Sequence, residues 1–351
     1  MGLAAKISDV RQVFKHAKEV ARIGPAQSDH LPALRVGLSV SVPLLVLLAL
    51  GRPELSIYAV FGGFTAMYGR NDTYRPRLTH QGRAALLLTS GLAVGVLLSV
   101  ARAQPWMLVI VESLFAVAGS LAADRMGLRP SGPFYAIFAL GACASVPTTI
   151  PFWLAVGICA ASAAFSIVVG VSGWVRNRTW SPAPAPEAMT ADSARSRAVR
   201  VHAARYLIAV VIAGTLGVLG GAGHANWTMA AAAVPLAATN MKSRILRGIH
   251  RVIGTLAGIL LTAVILLPEF DRTTLTVLLM VLLFPTELFM MRHYGLAMMF
   301  FTPAILLMSQ LAYPISRHVL VTDRAIETLV GASIGMAVAI LVREPKIGPR
   351  D

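Results

Sequence analysis

Residues 248–267 read GIHRVIGTLAGILLTAVILL, an apolar run interrupted only by His250, Arg251, Thr255 and Thr262 and long enough as a helix to cross the hydrocarbon of a bilayer. Its two ends differ in character. Lys242, Arg244, Arg247 and Arg251 crowd the start, whereas the far end passes through Leu266 and Leu267 into Pro268. Working outward, runs of the same kind fall at 33–51, 54–69, 84–102, 105–123, 132–149 and 151–174. They fall again at 203–222, 225–241, 273–291, 294–313 and 323–342. The fold class this predicts is an all-α polytopic membrane protein of about twelve transmembrane helices.

Composition agrees. Of 351 residues 56% are apolar and 13% charged, and the mean hydropathy is +0.69, which in water would leave a very large exposed apolar surface. The net charge of +15 is not a nucleic-acid signature, because the basic residues sit in short clusters between apolar runs. Assigning alternate loops to opposite sides puts 26 of the 31 Lys and Arg residues on one of them. By the positive-inside rule both termini and the central linker are therefore cytoplasmic, in a multi-pass protein of the inner membrane. Cys143 and Cys159 lie within apolar runs and support neither a disulfide framework nor a zinc site. The first apolar run is followed by many others and is not read as a cleaved signal, and Lys6 stands where a myristoylation motif needs Ser or Thr.

The runs divide into two sets of six. Residues 1–30 form a basic, amphipathic cytoplasmic segment, with Ile7, Val10, Val13, Phe14 and Ala17 at helical spacing among Lys6, Arg11, Lys15 and Lys18. This reads either as a helix lying on the membrane surface or as one packed on cytoplasmic loops. The first repeat covers 31–175, a Pro- and Arg-rich cytoplasmic linker 176–202, the second repeat 203–343 and a cytoplasmic tail 344–351. Leu34-Arg35 opens the first repeat as Ala204-Arg205 opens the second. In each a short second span rich in Gly, Ala or Pro follows (Ile57 to Gly69, Trp227 to Asn240), and then a basic loop ending at Arg83 or Arg251. An even number of spans per repeat makes the two parallel, about an axis along the membrane normal. Gly91 and Gly95, Gly254 and Gly258, and Gly331 and Gly335 are small-xxx-small pairs suited to close helix contact.

One motif occurs twice: Arg, two residues, Gly or Glu, Thr, two residues, Gly. It appears as Arg251, Gly254, Thr255, Gly258 and as Arg324, Glu327, Thr328, Gly331. Together with the duplicated six-span plan and the Trp227 to Leu236 run, it resembles the fusaric acid resistance family of integral membrane transporters. That family is related to the aromatic carboxylic acid exporters and the aluminium-activated malate transporters. The resemblance extends from about Leu31 to Arg343. It implies an efflux permease for small organic anions such as aromatic carboxylic acids, with a passive organic-anion channel or a non-transporting membrane scaffold as alternatives. The expected partners are a small organic acid and membrane lipids, with no nucleic acid; a homo-oligomer is compatible with this reading.

Candidate pathway residues are those that cost most to place in lipid. Glu112 lies within the fourth run without a basic residue three or four positions away, and reads either as a proton- or substrate-linked carboxyl or as a hydrogen-bonded packing residue. Arg324 and Glu327 share a helix face, where they either pair at the interface or join the pathway with Thr328. Arg35, Arg83, Arg205 and Arg251 stand at predicted cytoplasmic helix starts, either snorkelling or lining an anion mouth to which Thr255 would add a hydroxyl. Tyr58, Asn226 and Trp227 belong to the short second spans, with Tyr58 and Trp227 alternatively serving as interface-belt aromatics. Pro303 predicts a kink whose freed carbonyl the Thr302 hydroxyl would satisfy. No phosphate-cradling loop, His-Glu-x-x-His pattern or Ser-His-acid grouping is found, so no enzymatic activity, cofactor or metal is expected.

Overall fold

The computed structural model describes residues 21–25, 29–173, 193–221, 225–238, 240–314 and 316–342. Most of the predicted surface helix, residues 174–192 of the linker region and the tail from 343 lie outside them. Twelve helices follow one another through the described residues. They are α1 (His30–Ala49), α2 (Ser56–Gly63), α3 (Tyr74–Val100), α4 (Pro105–Met126), α5 (Phe134–Ser145), α6 (Phe152–Val171), α7 (Ser193–Leu219), α8 (Ala225–Leu236), α9 (Met241–Ile265), α10 (Arg272–Phe289), α11 (Tyr294–Ala312) and α12 (Arg317–Leu341). Among these residues there is no strand.

Nine of the described helices are long and apolar enough to span a bilayer. The expected count of about twelve transmembrane helices is therefore matched in helix number, but three of the twelve fall short of a full span. Helix α2 is eight residues long and continues only as 3₁₀ turns at Pro53–Leu55 and Phe64–Met67, while α5 and α8 have twelve residues each. At 1.5 Å per residue these reach about 12 and 18 Å, short of the ~30 Å of hydrocarbon. Their apolar content raised the expectation, but it serves the interior. Every residue of α2 and α8 is buried, as is α5 from Phe134 to Cys143. Because neighbouring helices screen them from lipid, their ends need not reach either headgroup layer. The outer helices turn side chains such as Leu86, Leu219, Leu260 and Leu341 outward, each at least 70% exposed, as lipid-facing surfaces do.

Helix ends follow local chemistry. Asp271 accepts from the amides of Thr273 and Thr274 at the start of α10, Asn240 Oδ1 from Ser243 N at 2.8 Å for α9, and His293 Nδ1 from Leu296 N at 3.0 Å for α11. Pro105 occupies the first turn of α4, and Gly127, with φ +63°, ends it in the left-handed conformation. Three helices begin well before the expected spans. Helices α3, α7 and α9 start at Tyr74, Ser193 and Met241, because residues such as Ala198, Arg200, Leu246 and Arg247 favour helix even outside an apolar run. The last ten residues of the expected linker thus belong to α7.

The packing order has a regular form. Helix α2 packs on α6, and α3 on α5 and α6; likewise α8 packs on α12, and α9 on α11 and α12. Between these groups α4 packs on α7 and α10 on α1, while α5 meets α8 and α11 meets α2. Glycines permit the closest approaches. A Cβ added at Gly91 or Gly95 would run into the carbonyl oxygen of Ala136 or Leu140 on α5. At Gly254 and Gly258 it would meet Gly295 and Met299 on α11, and at Gly331 and Gly335, Thr228 and Ala232 on α8. Backbone is on the far side of each contact, so the neighbour cannot rotate away. Replacing Gly95 or Gly335 by Leu is expected to destabilise the fold by about 1–3 kcal/mol or more, read as a lowered unfolding temperature in detergent. Leu at Gly157, which faces open space, is the control expected to change little.

Candidate functional site

On α9 the buried face carries Arg251, Gly254, Thr255 and Gly258, and on α12 Arg324, Glu327 and Thr328 are buried beside Gly331. The small residues bring each helix onto its neighbour, and the long polar side chains are carried inward with it. Arg251 and Arg324 are both 0% exposed. Arg251 lies ten residues into α9 and Arg324 seven into α12, depths of about 15 and 10 Å from the helix starts. The expectation that Arg251 marks a helix start is thereby corrected, since α9 begins earlier.

The two guanidiniums lie close enough to repel one another, and Glu327 acts on Arg324 as a counter-charge. No hydrogen bond joins Arg324 to Glu327, and none of the three nitrogens of Arg324 finds an acceptor among the described residues. Arg251 directs Nη1 to Met298 Sδ at 3.0 Å and leaves Nε and Nη2 without one. What covers the two cations is aromatic. Arg324 lies 4.9 Å from the centre of the Trp227 ring and Arg251 5.9 Å from that of Phe134. The hydroxyls of Thr255 and Thr328 are buried nearby in sequence and likewise have no partner. Phe134 also opens a connected set of rings, with Tyr135, Phe138, Phe61, Phe64, Tyr68 and Phe301 in mutual contact across α2, α5 and α11.

Glu112 occupies a second interior position. It is 0% exposed, and neither carboxyl oxygen has a hydrogen-bond partner among the described residues. Asn226, at the start of α8, is 1% exposed with both amide atoms unmatched. The two are neighbours across Gly141, where an added Cβ would stand 2.9 Å from Glu112 Oε2 and 2.7 Å from Asn226 Cβ. Asn226 and Trp227 also line a narrow cleft with Ile57, Ser145, Ser309 and Tyr313, of about 20 Å³, room for a single water. Tyr58, beside Ile57, is buried.

The remaining expected residues lie elsewhere. Arg83 donates to Met126 O at 2.7 Å, Arg205 through Nε to Val342 O at 2.7 Å, and Arg35 to Arg70 O at 2.8 Å. Each serves backbone carbonyls at or near a chain turn, and none of these three bonds leads toward Arg251 or Arg324. The Thr302 hydroxyl, expected to compensate for Pro303, has no partner; its Cβ instead packs toward Gly258.

Sequence reasoning missed one interior ion pair. Arg70 Nη1 donates to both the carboxylate and the backbone oxygen of Glu287 at 2.9 Å, and Nη2 reaches Asp29 at 3.1 Å, tying the turn after α2 to α10. Glu287 carries the signal that exposed Glu112, an acid inside an apolar run. Phe134 and Met298 carry no such signal, since an aromatic ring or a Met in an apolar helix is ordinary core.

Comparison with curated proteins finds no match, and comparison with solved structures finds none. The family model described as fusaric acid resistance protein-like matches residues 208–338, a stretch that contains Arg251, Arg324 and Glu327. Over that stretch the chain is similar to the fusaric acid resistance protein-like family.

Proposed function

We propose that the chain is a secondary transporter that exports small organic anions, aromatic carboxylic acids among them, across the inner membrane. The observation that carries this reading is the pair of fully buried guanidiniums, Arg251 and Arg324, with donors that find no acceptor among the described residues, and with Glu327 as a counter-charge to Arg324. A cation held in the interior without acceptors is expensive. An entering carboxylate would accept hydrogen bonds in the bidentate geometry that guanidinium favours and would balance the excess positive charge. Trp227 and Phe134 beside the two arginines support an aromatic body on that carboxylate. The family match at 208–338 supports transport as the activity.

The paired packing order supports two parallel six-helix repeats, with the buried helices α2, α5, α8 and α11 at the centre of the path. The basic loops support cytoplasmic termini. The tightness of the cleft at Asn226 favours a gated carrier over a standing channel.

The test is counterflow in liposomes holding the full-length protein, with labelled 4-hydroxybenzoate, benzoate and malate, corrected for protein-free liposomes. Aromatic acids are expected to exchange above background. Flux that follows voltage without counterflow would select the channel, and no flux of any acid would contradict transport.

A further inference from the structure

We infer that Glu112 and Asn226 form a proton-binding site, separate from the paired arginines, through which transport is coupled to proton movement. This rests on the transport reading above. Glu112 projects from α4 into a junction where Gly214 of α7 lies against Val109 of α4 and Met229 of α8. The Glu112 carboxyl and the Cβ of Asn226 both adjoin Gly141 there, and the carboxyl and the carboxamide are each buried with no hydrogen-bond partner among the described residues. One proton on the carboxyl resolves the mismatch, because the acid O–H can donate to Asn226 Oδ1 while the Asn226 amide donates back. No space for a larger cation is needed, and the contact over Gly141 leaves little.

Charged groups on the surrounding elements are engaged elsewhere. On α4 itself Asp124 binds His202 of α7 at 2.7 Å, and His202 Nε2 lies 3.1 Å from Leu236 O at the end of α8. Arg83 of α3 and Arg205 of α7 serve the carbonyls named above, and Tyr206 of α7 meets the His202 ring edge to face. Helix α8 carries no ionisable side chain, and on α5 only Tyr135 and Cys143 are titratable.

The site has an approach on either side. Asn226 lines the narrow cleft. In the other direction the buried face of α4 carries Ser113 and Ser120, hydroxyls without partners, and then the partly exposed Asp124–His202 pair. The second seam argues that the carboxyl is not a requirement of the fold. Asp124 and Glu287 both stand two residues before the end of their helices, and counting back equally from those ends places Leu275 of α10 where α4 has Glu112.

The test uses the full-length protein in liposomes with the membrane potential clamped, and two readouts. One is counterflow of labelled 4-hydroxybenzoate at equal pH; the other is proton movement driven by a 4-hydroxybenzoate gradient, followed with a pH dye sealed inside. Both are corrected for protein-free liposomes. Glu112→Gln is expected to keep counterflow and lose proton movement to background, and Glu112→Asp to keep both. Proton movement at the wild-type rate in Glu112→Gln overturns the proposal, as does wild-type counterflow with no proton movement. Loss of counterflow as well would place the carboxyl in substrate binding and overturn it too. Absence of counterflow in the wild type would instead defeat the transport reading. Should Glu112→Gln fail to fold, dicyclohexylcarbodiimide, which modifies protonated carboxyls in apolar surroundings, addresses the wild type. Modification mapped to Glu112 is expected to stop proton movement, and protein so modified that still moves protons overturns the assignment.

Discussion

Arg324→Gln is expected to weaken transport of aromatic carboxylates about a hundredfold, the loss of roughly 3 kcal/mol when a bidentate charge-assisted contact is removed. With Glu327→Gln added, so that no buried carboxylate loses its counter-charge, the change is expected to leave the unfolding temperature unchanged or to raise it. The two effects have one cause. In the substrate-free protein the Arg324 guanidinium is fully buried with no acceptor, close to a second guanidinium, and has the Trp227 face and the Glu327 charge as compensation. Removing it relieves a desolvation cost and a repulsion. Transport loses the contact that repaid them. Arg251→Gln is expected to behave alike but less cleanly, because Arg251 also holds Met298. Counterflow and thermal unfolding in detergent, read on the same preparations, check both halves. An arginine that serves only the fold would show the opposite sign, with stability falling.

Arg70→Ala is expected to be among the most destabilising single changes in the chain, at about 3–5 kcal/mol. It leaves Glu287, 1% exposed, as a buried carboxylate without Arg70, and it also removes the Arg70 contacts to Asp29 and to the Glu287 carbonyl. The pair binds the turn after α2 to α10, so its loss opens the seam where α10 packs on α1. Replacing both Arg70 and Glu287 by Met is expected to cost much less than Arg70→Ala, because the orphaned charge disappears with its partner. Thermal unfolding of the two single variants and the double variant measures the coupling directly. Additive effects would show that the bridge contributes nothing beyond its separate parts.

Much of the helical plan is readable in the residues, since apolar runs and their basic borders report where lipid and water lie. The boundaries of α4, α10 and α11 fall within a few residues of the apolar runs because Pro105, Asp271 and His293 mark their starts chemically. Helices α3, α7 and α9 run on past their apolar cores, and hydropathy is blind to such extensions. Arg251 therefore reads from hydropathy as a helix start although it lies in the interior. The short helices were legible in part: the Gly- and Ala-rich composition of the second spans pointed to α2 and α8. Helix α5 did not announce itself, because Phe134, Tyr135 and Phe138 look the same whether they face lipid or protein.

The polar residues show the same division. Glu112, Arg324 and Glu327 stand out from sequence because each is costly in lipid, and the structure buries all three. Their companions do not stand out. That Phe134 covers Arg251, or that Asn226 and Glu112 both adjoin Gly141, depends on contacts between distant parts of the chain. The motif that recurs at Arg251 and Arg324 did point to both cations, but only packing reveals that they lie close enough to act on each other.

The central claim is that the buried arginines receive an organic anion beside Trp227. Equilibrium binding tests it most directly, in purified protein whose only remaining tryptophan is Trp227. Saturable quenching of its fluorescence by 4-hydroxybenzoate is expected, abolished when Arg251 and Arg324 are both replaced by Gln. Quenching that persists unchanged in that double variant would contradict the account.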